Sequence, residues 1–389
     1  MLFIVTYYGL FKYSVTIGTP RIPSGYSDVA MTTRITKTTR TSILSAQLII
    51  FAFKPLIITS PSNIKLTYFF RKRRPHMYSI ELLFDNIAAR VSANPQFSVT
   101  RQEMPTENNF ILNTLFALRN RGGINHITGD IHYIALVLGK RRTVLTIHDC
   151  VFLTRYTKKN FKYWFIRFFW YQLPIWSSGA VTVISEKTKR ELMMLTGVQA
   201  DKFRVIPNFY DPRFKRVPKL FHKARPKILQ IGTKSNKNIN KLIEAIKFIP
   251  CELLTVGILE EDTLKLLQEN KIEYKAFDNI SFEQLNQLYI DCDIVTFIST
   301  YEGFGLPILE ACAVGRPLVT SCISPMNEIA EDAAVKVNPY NVFDIRRGLL
   351  KIIEDDSFRE ELITKGRKLA EKYHIDTVQQ MYENLYKSL

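Results

Sequence analysis

Thr300-Tyr301-Glu302-Gly303-Phe304-Gly305-Leu306-Pro307-Ile308-Leu309-Glu310 carries the strongest chemical signal in the chain. Gly303 and Gly305 allow backbone to approach a ligand without Cβ interference. Pro307 suits the first turn of a helix, and Gly315 suits that helix's end. A Gly-rich turn running into a helix N-terminus makes a seat for an anion or for the polar edge of a sugar. Glu302 precedes the helix and Glu310 lies inside it. Carboxylates so placed can accept hydrogen bonds from hydroxyls of a sugar and of a ribose. The competing reading is a strand–helix corner whose glycines serve packing and whose carboxylates are solvated. An apolar run just upstream, Ile294-Val295-Thr296-Phe297-Ile298, together with the proline and the paired carboxylates, favours a site over a corner.

Such a turn has to be delivered by a sheet, and the periodicity supplies one. Strands are predicted at 64–70, 124–128, 143–148, 180–184 and 203–207, with helical patterns between them. After Asp211-Pro212, Val217-Pro218 and Arg225-Pro226 the alternation restarts. Strands are then predicted at 227–232, 252–257, 293–298 and 317–321, and helices at 238–249, 260–270, 281–291, 306–314 and 341–372. Strand–helix alternation at this spacing implies right-handed crossovers and parallel sheets. The predicted class is α/β, with two Rossmann-like doubly wound domains facing across a cleft. The expected divisions are a leader at 1–62, an acceptor-side domain at 63–210, a linker at 211–226, a donor-binding domain at 227–373 and a C-terminal helix at 374–389. The leader reads as an extension that the fold does not require, with a signal-like or interfacial segment over 43–58 as the alternative. Ligands of doubly wound sheets bind beyond the carboxyl ends of the strands, which places a site between the halves.

The segment Glu302-Gly303-Phe304-Gly305-Leu306-Pro307-Ile308-Leu309-Glu310 resembles the E-x7-E signature of the retaining, nucleotide-sugar-dependent glycosyltransferases of family four, which have the GT-B fold. The run from Ile231-Gly232-Thr233-Lys234 to Ser235-Asn236-Lys237-Asn238 is similar to that family's phosphate-binding turn. Val183-Ile184-Ser185-Glu186 with Lys187-Thr188-Lys189, and Val205-Ile206-Pro207-Asn208, are similar to two further family motifs. The resemblance covers roughly residues 64–389. It implies that Glu302 contacts hydroxyls of the transferred sugar and that Glu310 binds the nucleotide ribose. It also implies that Gly303, Phe304, Gly305 and Leu306 hold the donor, and that Gly232, Lys234 and Lys237 surround its diphosphate. Lys237 would neutralise the departing diphosphate. That role agrees with physics, because fixed cations in a dry cleft stabilise charge building on a leaving oxygen. No metal and no cofactor are then expected.

Thr233 stands where the family often has Arg; Lys234 is the expected substitute, although lysine offers a point charge and not a fork. Arg71-Lys72-Arg73-Arg74 replaces a Gly-Gly turn and is read as a diphosphate or acceptor loop through Arg73. Two strand ends carry histidines, Asn125-His126-Ile127-Thr128-Gly129-Asp130 and Thr146-Ile147-His148-Asp149. His126 and His148 join the catalytic candidates as donors to a sugar hydroxyl or a developing oxyanion. Asp130 and Asp149 are expected on the acceptor side of the cleft.

The formal charge of +17 over 389 residues calls for an anionic partner. Residues 155–176 hold five basic residues, no acid and all three tryptophans. Lysines among aromatics suit a membrane–water interface, so a cytoplasmic position with peripheral contact to an anionic membrane surface is expected; the alternative for the segment is a core helix that also packs on the C-terminal helix. The expected substrates are a nucleotide-sugar and a glycan or lipid-linked acceptor in cell-surface polysaccharide assembly. Nucleic acid is not an expected partner, because no RNP, KH or helix-turn-helix signature is present. Five scattered cysteines without C-x-x-C argue against a disulfide scaffold and a structural zinc. A dinucleotide dehydrogenase is disfavoured because no G-x-G-x-x-G follows residues 64–70 or 227–232. The remaining alternatives are a nucleotide-sugar epimerase or hydrolase on the same fold, and a non-catalytic sugar- or lipid-binding module.

Overall fold

The structure is a computed structural model of the chain, describing residues 63–73, 79–154 and 156–389. The proposed leader, Arg74 and Arg155 lie outside the described residues.

The first half carries β1 (Ile64–Phe70), β2 (Phe97–Glu103), β3 (Ile124–Ile127), β4 (Thr143–Ile147), β5 (Ala180–Val183) and β6 (Phe203–Val205). They form one parallel sheet in the order β2-β1-β3-β4-β5-β6. The second half carries β7 (Lys227–Ile231), β8 (Glu252–Val256), β9 (Tyr274–Phe277), β10 (Ile294–Phe297), β11 (Leu318–Ser321) and β12 (Val335–Val337). Its parallel order is β12-β11-β10-β7-β8-β9. Helices cover both faces, so the central strands read as continuous apolar runs. The strands absent from the sequence reading, β2, β9 and β12, each lie at a sheet edge. An edge strand is covered on fewer sides, and its sequence lacks the apolar run that marks its neighbours. The single helix expected over 341–372 is two, Val342–Glu354 and Asp356–Lys372. Asp355 separates them by capping the second, its side chain accepting from the Phe358 amide at 2.9 Å.

Two connections tie the halves. The linker lies along the second half. Lys219 pairs with Asp293, whose side chain is fully buried and also accepts from the amides of His222 and Lys227 at 3.2 and 2.8 Å. Arg316 donates to the carbonyls of Val217, Tyr289 and Ile290. The C-terminal helix, Ile375–Lys387, packs on the first half. Its Tyr386 hydroxyl lies 2.9 Å from the Tyr68 hydroxyl and 2.7 Å from His126 Nδ1. Its Tyr382 joins the Leu66, Phe84 and Ile87 core.

Candidate active site

In the second sheet the strand order reverses between β10 and β7. That reversal opens a crevice at the strands' carboxyl ends, and loops 232–238 and 299–305 line it. They are stapled together. The Thr300 amide donates to Asn236 O at 2.8 Å, Asn236 Nδ2 to Tyr301 O at 3.0 Å, and Asn238 Nδ2 to Ile298 O at 3.2 Å. Beneath them, buried Gln230 accepts from Thr296 Oγ1 at 2.8 Å and donates to Lys237 O at 3.0 Å. Lys237 Nζ then stands 2.7 Å from Glu302 Oε1, with the two side chains 21% and 16% exposed. Asn236 Nδ2 reaches the same carboxylate oxygen at 3.3 Å. Gly232 permits this arrangement. Its φ is +85°, and a Cβ there would lie 2.9 Å from Lys237 Cγ and Cε. A cation and a carboxylate thus share one largely sheltered spot, the first able to stabilise an oxyanion and the second able to accept from hydroxyls.

Glu310 lies on the Leu306–Val314 helix and accepts from Tyr289 Oη at 2.5 Å. Burial pushes its carboxyl up to about 7, opposed by the Tyr289 hydrogen bond. Between pH 4.5 and 7 the folded chain therefore holds a proton that the unfolded chain has released, and Glu310 lowers stability as pH rises through that window. Glu310→Gln keeps an acceptor for Tyr289 and is expected to flatten this slope, by at most about 3 kcal/mol. Urea midpoints from pH 4.5 to 8 check it; a slope equal to wild type contradicts it.

The first half closes on the same turn. Ser185 Oγ donates to Gly303 O at 3.2 Å and Lys187 Nζ to Glu302 O at 2.8 Å. Lys187 Nζ also lies 3.7 Å from the centre of the Tyr301 ring. A Cβ on Gly303 would stand 3.6 Å from His148 O and 3.7 Å from Asp149 Cβ, so the end of β4 abuts the turn. Arg190 pairs with Glu328 across the same junction. Phe304 turns its ring into the core of the second half, leaving only its backbone for a ligand. Lys234 is exposed, and Thr233 Oγ1 donates to Ile258 O at 2.5 Å.

Three expectations need correction. His126 is fully buried, and its Nδ1 and Nε2 lie 2.7 Å from Tyr386 Oη and Thr146 Oγ1. Burial, then the charge of His148, pushes it down to about 3. It is a neutral bridge between sheet and C-terminal helix. His148 also titrates below the usual range, first through burial. Its Nε2 lies 2.8 Å from Thr128 O, a carbonyl that can only accept. The neutral ring therefore carries its proton there and offers Nδ1 as an acceptor, not as a donor to an oxyanion. Arg73 pairs with Asp85 at 3.0 Å and Glu103 at 3.5 Å, and Lys72 with Glu103 at 3.3 Å. Among the described residues of the basic loop, Arg71, Lys72 and Arg73 each pair with a carboxylate.

Arg71, named in the sequence only as the first of the basic run, follows β1 at the crevice of the first sheet. It spans Glu81 at 2.5 Å and Asp130 at 2.9 Å. Its signal was hidden in a run of four like residues. Asp130 is 57% exposed there, and Asp149 Oδ1 accepts from the Val151 amide at 2.9 Å. Asp291-Cys292-Asp293 forms a D-x-D, but Asp293 is buried on Lys219 at the opposite end of β10 from Glu302.

This geometry agrees with comparisons to known proteins. Residues 212–369 match the family model "Glycosyl transferases group 1", and residues 114–214 match "Glycosyltransferase Family 4". O-antigen chain mannosyltransferase B of Escherichia coli is 33% identical over 175 residues, 41% of this chain and 45% of that protein. An uncharacterized glycosyltransferase of Methanocaldococcus jannaschii is 28% identical over 242 residues, 55% of this chain and 61% of that protein. The chain spans about half the length of the curated relatives it matches. Among solved structures, Anabaena HepE in complex with UDP and glucose has a TM-score of 0.65 at 15% identity, covering 84% of this chain and 100% of that one. WaaG, a glycosyltransferase involved in lipopolysaccharide biosynthesis, has a TM-score of 0.61 at 12% identity, covering 83% and 99%. Likeness at such identity carries the fold alone. Two family models in tandem, two doubly wound sheets and an E-x7-E turn at the second sheet's reversal agree: residues 212–369 match the group 1 glycosyltransferases, and the chain has the GT-B fold.

Proposed function

We propose that the protein is a retaining hexosyltransferase that moves a sugar from a nucleotide-sugar to a hydroxyl of a glycan or lipid-linked acceptor, in cell-surface polysaccharide assembly. One observation carries this reading: Lys237 and Glu302 meet at 2.7 Å where a doubly wound sheet seats its ligand. In this reading Lys237 faces the diphosphate and stabilises the charge that grows as the anomeric bond breaks. Glu302 accepts from hydroxyls of the transferred sugar, the amides of 303–306 hold the donor, and Glu310 accepts from the ribose. Asp130 and Asp149 face the acceptor, and Nδ1 of His148 can take a hydrogen bond from a sugar hydroxyl. The matched relatives named as mannosyltransferases favour mannose, and HepE with UDP-glucose keeps glucose in view. The protein would work at the cytoplasmic face of a membrane. No helix among the described residues is long and apolar enough to cross one.

With Lys237 taking the leaving charge, the reaction is proposed to need neither metal nor cofactor. Turnover with each nucleotide-sugar, with and without acceptor, tests the whole reading. The expected result is acceptor-dependent glycoside of retained configuration, unchanged by EDTA. Free sugar formed at the same rate without acceptor would identify a hydrolase, and an epimerised donor an epimerase. Activity lost to EDTA and restored by a divalent cation would remove the metal-free mechanism.

A further inference from the structure

Thirteen of the 22 large apolar side chains that stand exposed among the described residues fall between 110 and 176. That concentration makes a patch, where scattered apolar residues would need no explanation. Three consecutive helical segments, Phe161–Ile166, the wide π turn Arg167–Gln172 and Leu173–Trp176, bury Tyr163, Ile166 and Tyr171. Their outer face presents Phe161, Trp164, Phe165, Phe168 and Phe169. The helix Phe110–Arg119 adds a second stripe, Ile111, Leu115 and Leu118, at i, i+4 and i+7. Trp170 joins the two, its ring lying 6.3 Å from Phe110 and 5.5 Å from Phe152.

The chain has no carboxylate from 108 to 129 or from 150 to 185. Arg119, Arg121, Lys158, Lys159 and Lys162 are exposed in those stretches. A second copy meeting this face by two-fold symmetry would set cation against cation. Aromatic side chains interleaved with lysines instead fit the headgroup level of an anionic bilayer, whose surface charge attracts the basic residues. The patch also reaches the acceptor rim of the cleft. His132 Nδ1 lies 3.0 Å from Trp170 O and the Tyr133 ring lies 5.8 Å from that of Trp170, just after Asp130. Phe152 follows closely on Asp149.

We propose that the helices at 110–119 and 161–176 form one docking face that seats the first half on an anionic bilayer, placing the rim at Asp130 and Asp149 at headgroup level to receive a lipid-borne acceptor. The acceptor part rests on the transferase reading; the docking does not. The full chain is floated with vesicles of phosphatidylcholine alone and of phosphatidylcholine with phosphatidylglycerol. Binding is expected only to the anionic vesicles and is expected to weaken with salt. F165S/F169S and I111S/L115S should each cut it about tenfold or more while keeping the donor-induced thermal shift of wild type. With vesicle-borne acceptor the same variants should lose turnover, and with a water-soluble analogue they should keep it. Failure to float, equal binding to neutral vesicles, or full binding by both variants would overturn the docking face. A solution dimer abolished by these substitutions would do the same. Equal loss on both acceptors would overturn the acceptor part. Absence of any turnover in wild type would instead strike the transferase reading and leave the flotation result standing.

Discussion

Glu302→Gln is expected to lower kcat by about a thousandfold, roughly 4 kcal/mol of transition-state stabilisation. Lys237→Met should cost a similar factor, since under the proposed function it removes the cation that faces the leaving group. The two side chains touch at 2.7 Å, so they act as a unit, and the double variant should be little worse than the poorer single one. The amide keeps the shape of Glu302 and can still accept from Lys237, so the loop staple at Thr300 and Asn236 should survive. Circular dichroism and urea midpoints are therefore expected to stay near wild type for Glu302→Gln. Lys237→Met leaves a largely sheltered carboxylate without its cation, so a modest loss of stability should accompany the loss of rate. Initial rates with saturating donor give the answer. Wild-type turnover in either single variant would remove the pair from the chemistry.

Asp293→Ala is expected to cost about 3–5 kcal/mol of stability, the range for breaking a buried ion pair from one side. Its fully buried carboxylate holds Lys219 and two backbone amides of the linker region, and alanine leaves all three without that acceptor. Asp293→Asn keeps one acceptor oxygen and should lose less. Because Asp293 lies at the start of β10 and Glu302 beyond its end, kcat at temperatures where the variant is folded should match wild type. Urea unfolding measures the first part and initial rates the second. A midpoint shift worth less than about 1 kcal/mol would show that the linker is held by other contacts. The contrast with Glu302 separates the two ends of one strand, the one that anchors the chain and the one that presents chemistry.

How much of this was legible beforehand depended on burial. β1 over Ile64–Phe70 and the Leu306–Val314 helix match their sequence readings residue for residue, because each is an apolar run bounded by Gly, Pro or charge. The edge strands β2, β9 and β12 went unread because their sequences answer to one neighbour and to water. In the candidate site, Glu302 stood out by its place in the glycine-rich turn and Lys237 by the resemblance of its turn to a family motif, and the structure brings the two side chains together. His126 could not be judged that way. It lies one residue from the end of a strand, where period-two alternation alone decides whether a side chain meets ligand or core. The partner that claims it, Tyr386, is 260 residues away. The same distance problem concealed the pairing of Arg71 with Asp130, 59 residues away, and the contact of Lys187 with the Glu302 carbonyl, 115 residues away.

The return of the C-terminal helix to the first half has a consequence for the order of synthesis. Tyr68, Phe84 and His126 are made early, yet the core they share is completed by Tyr382 and Tyr386. A nascent chain can assemble the second sheet while the first still shows an apolar groove to the surrounding medium. The half translated first therefore lacks part of its core until the last helix of the sequence has been made, against the usual pattern of domains completed in turn from the N-terminus.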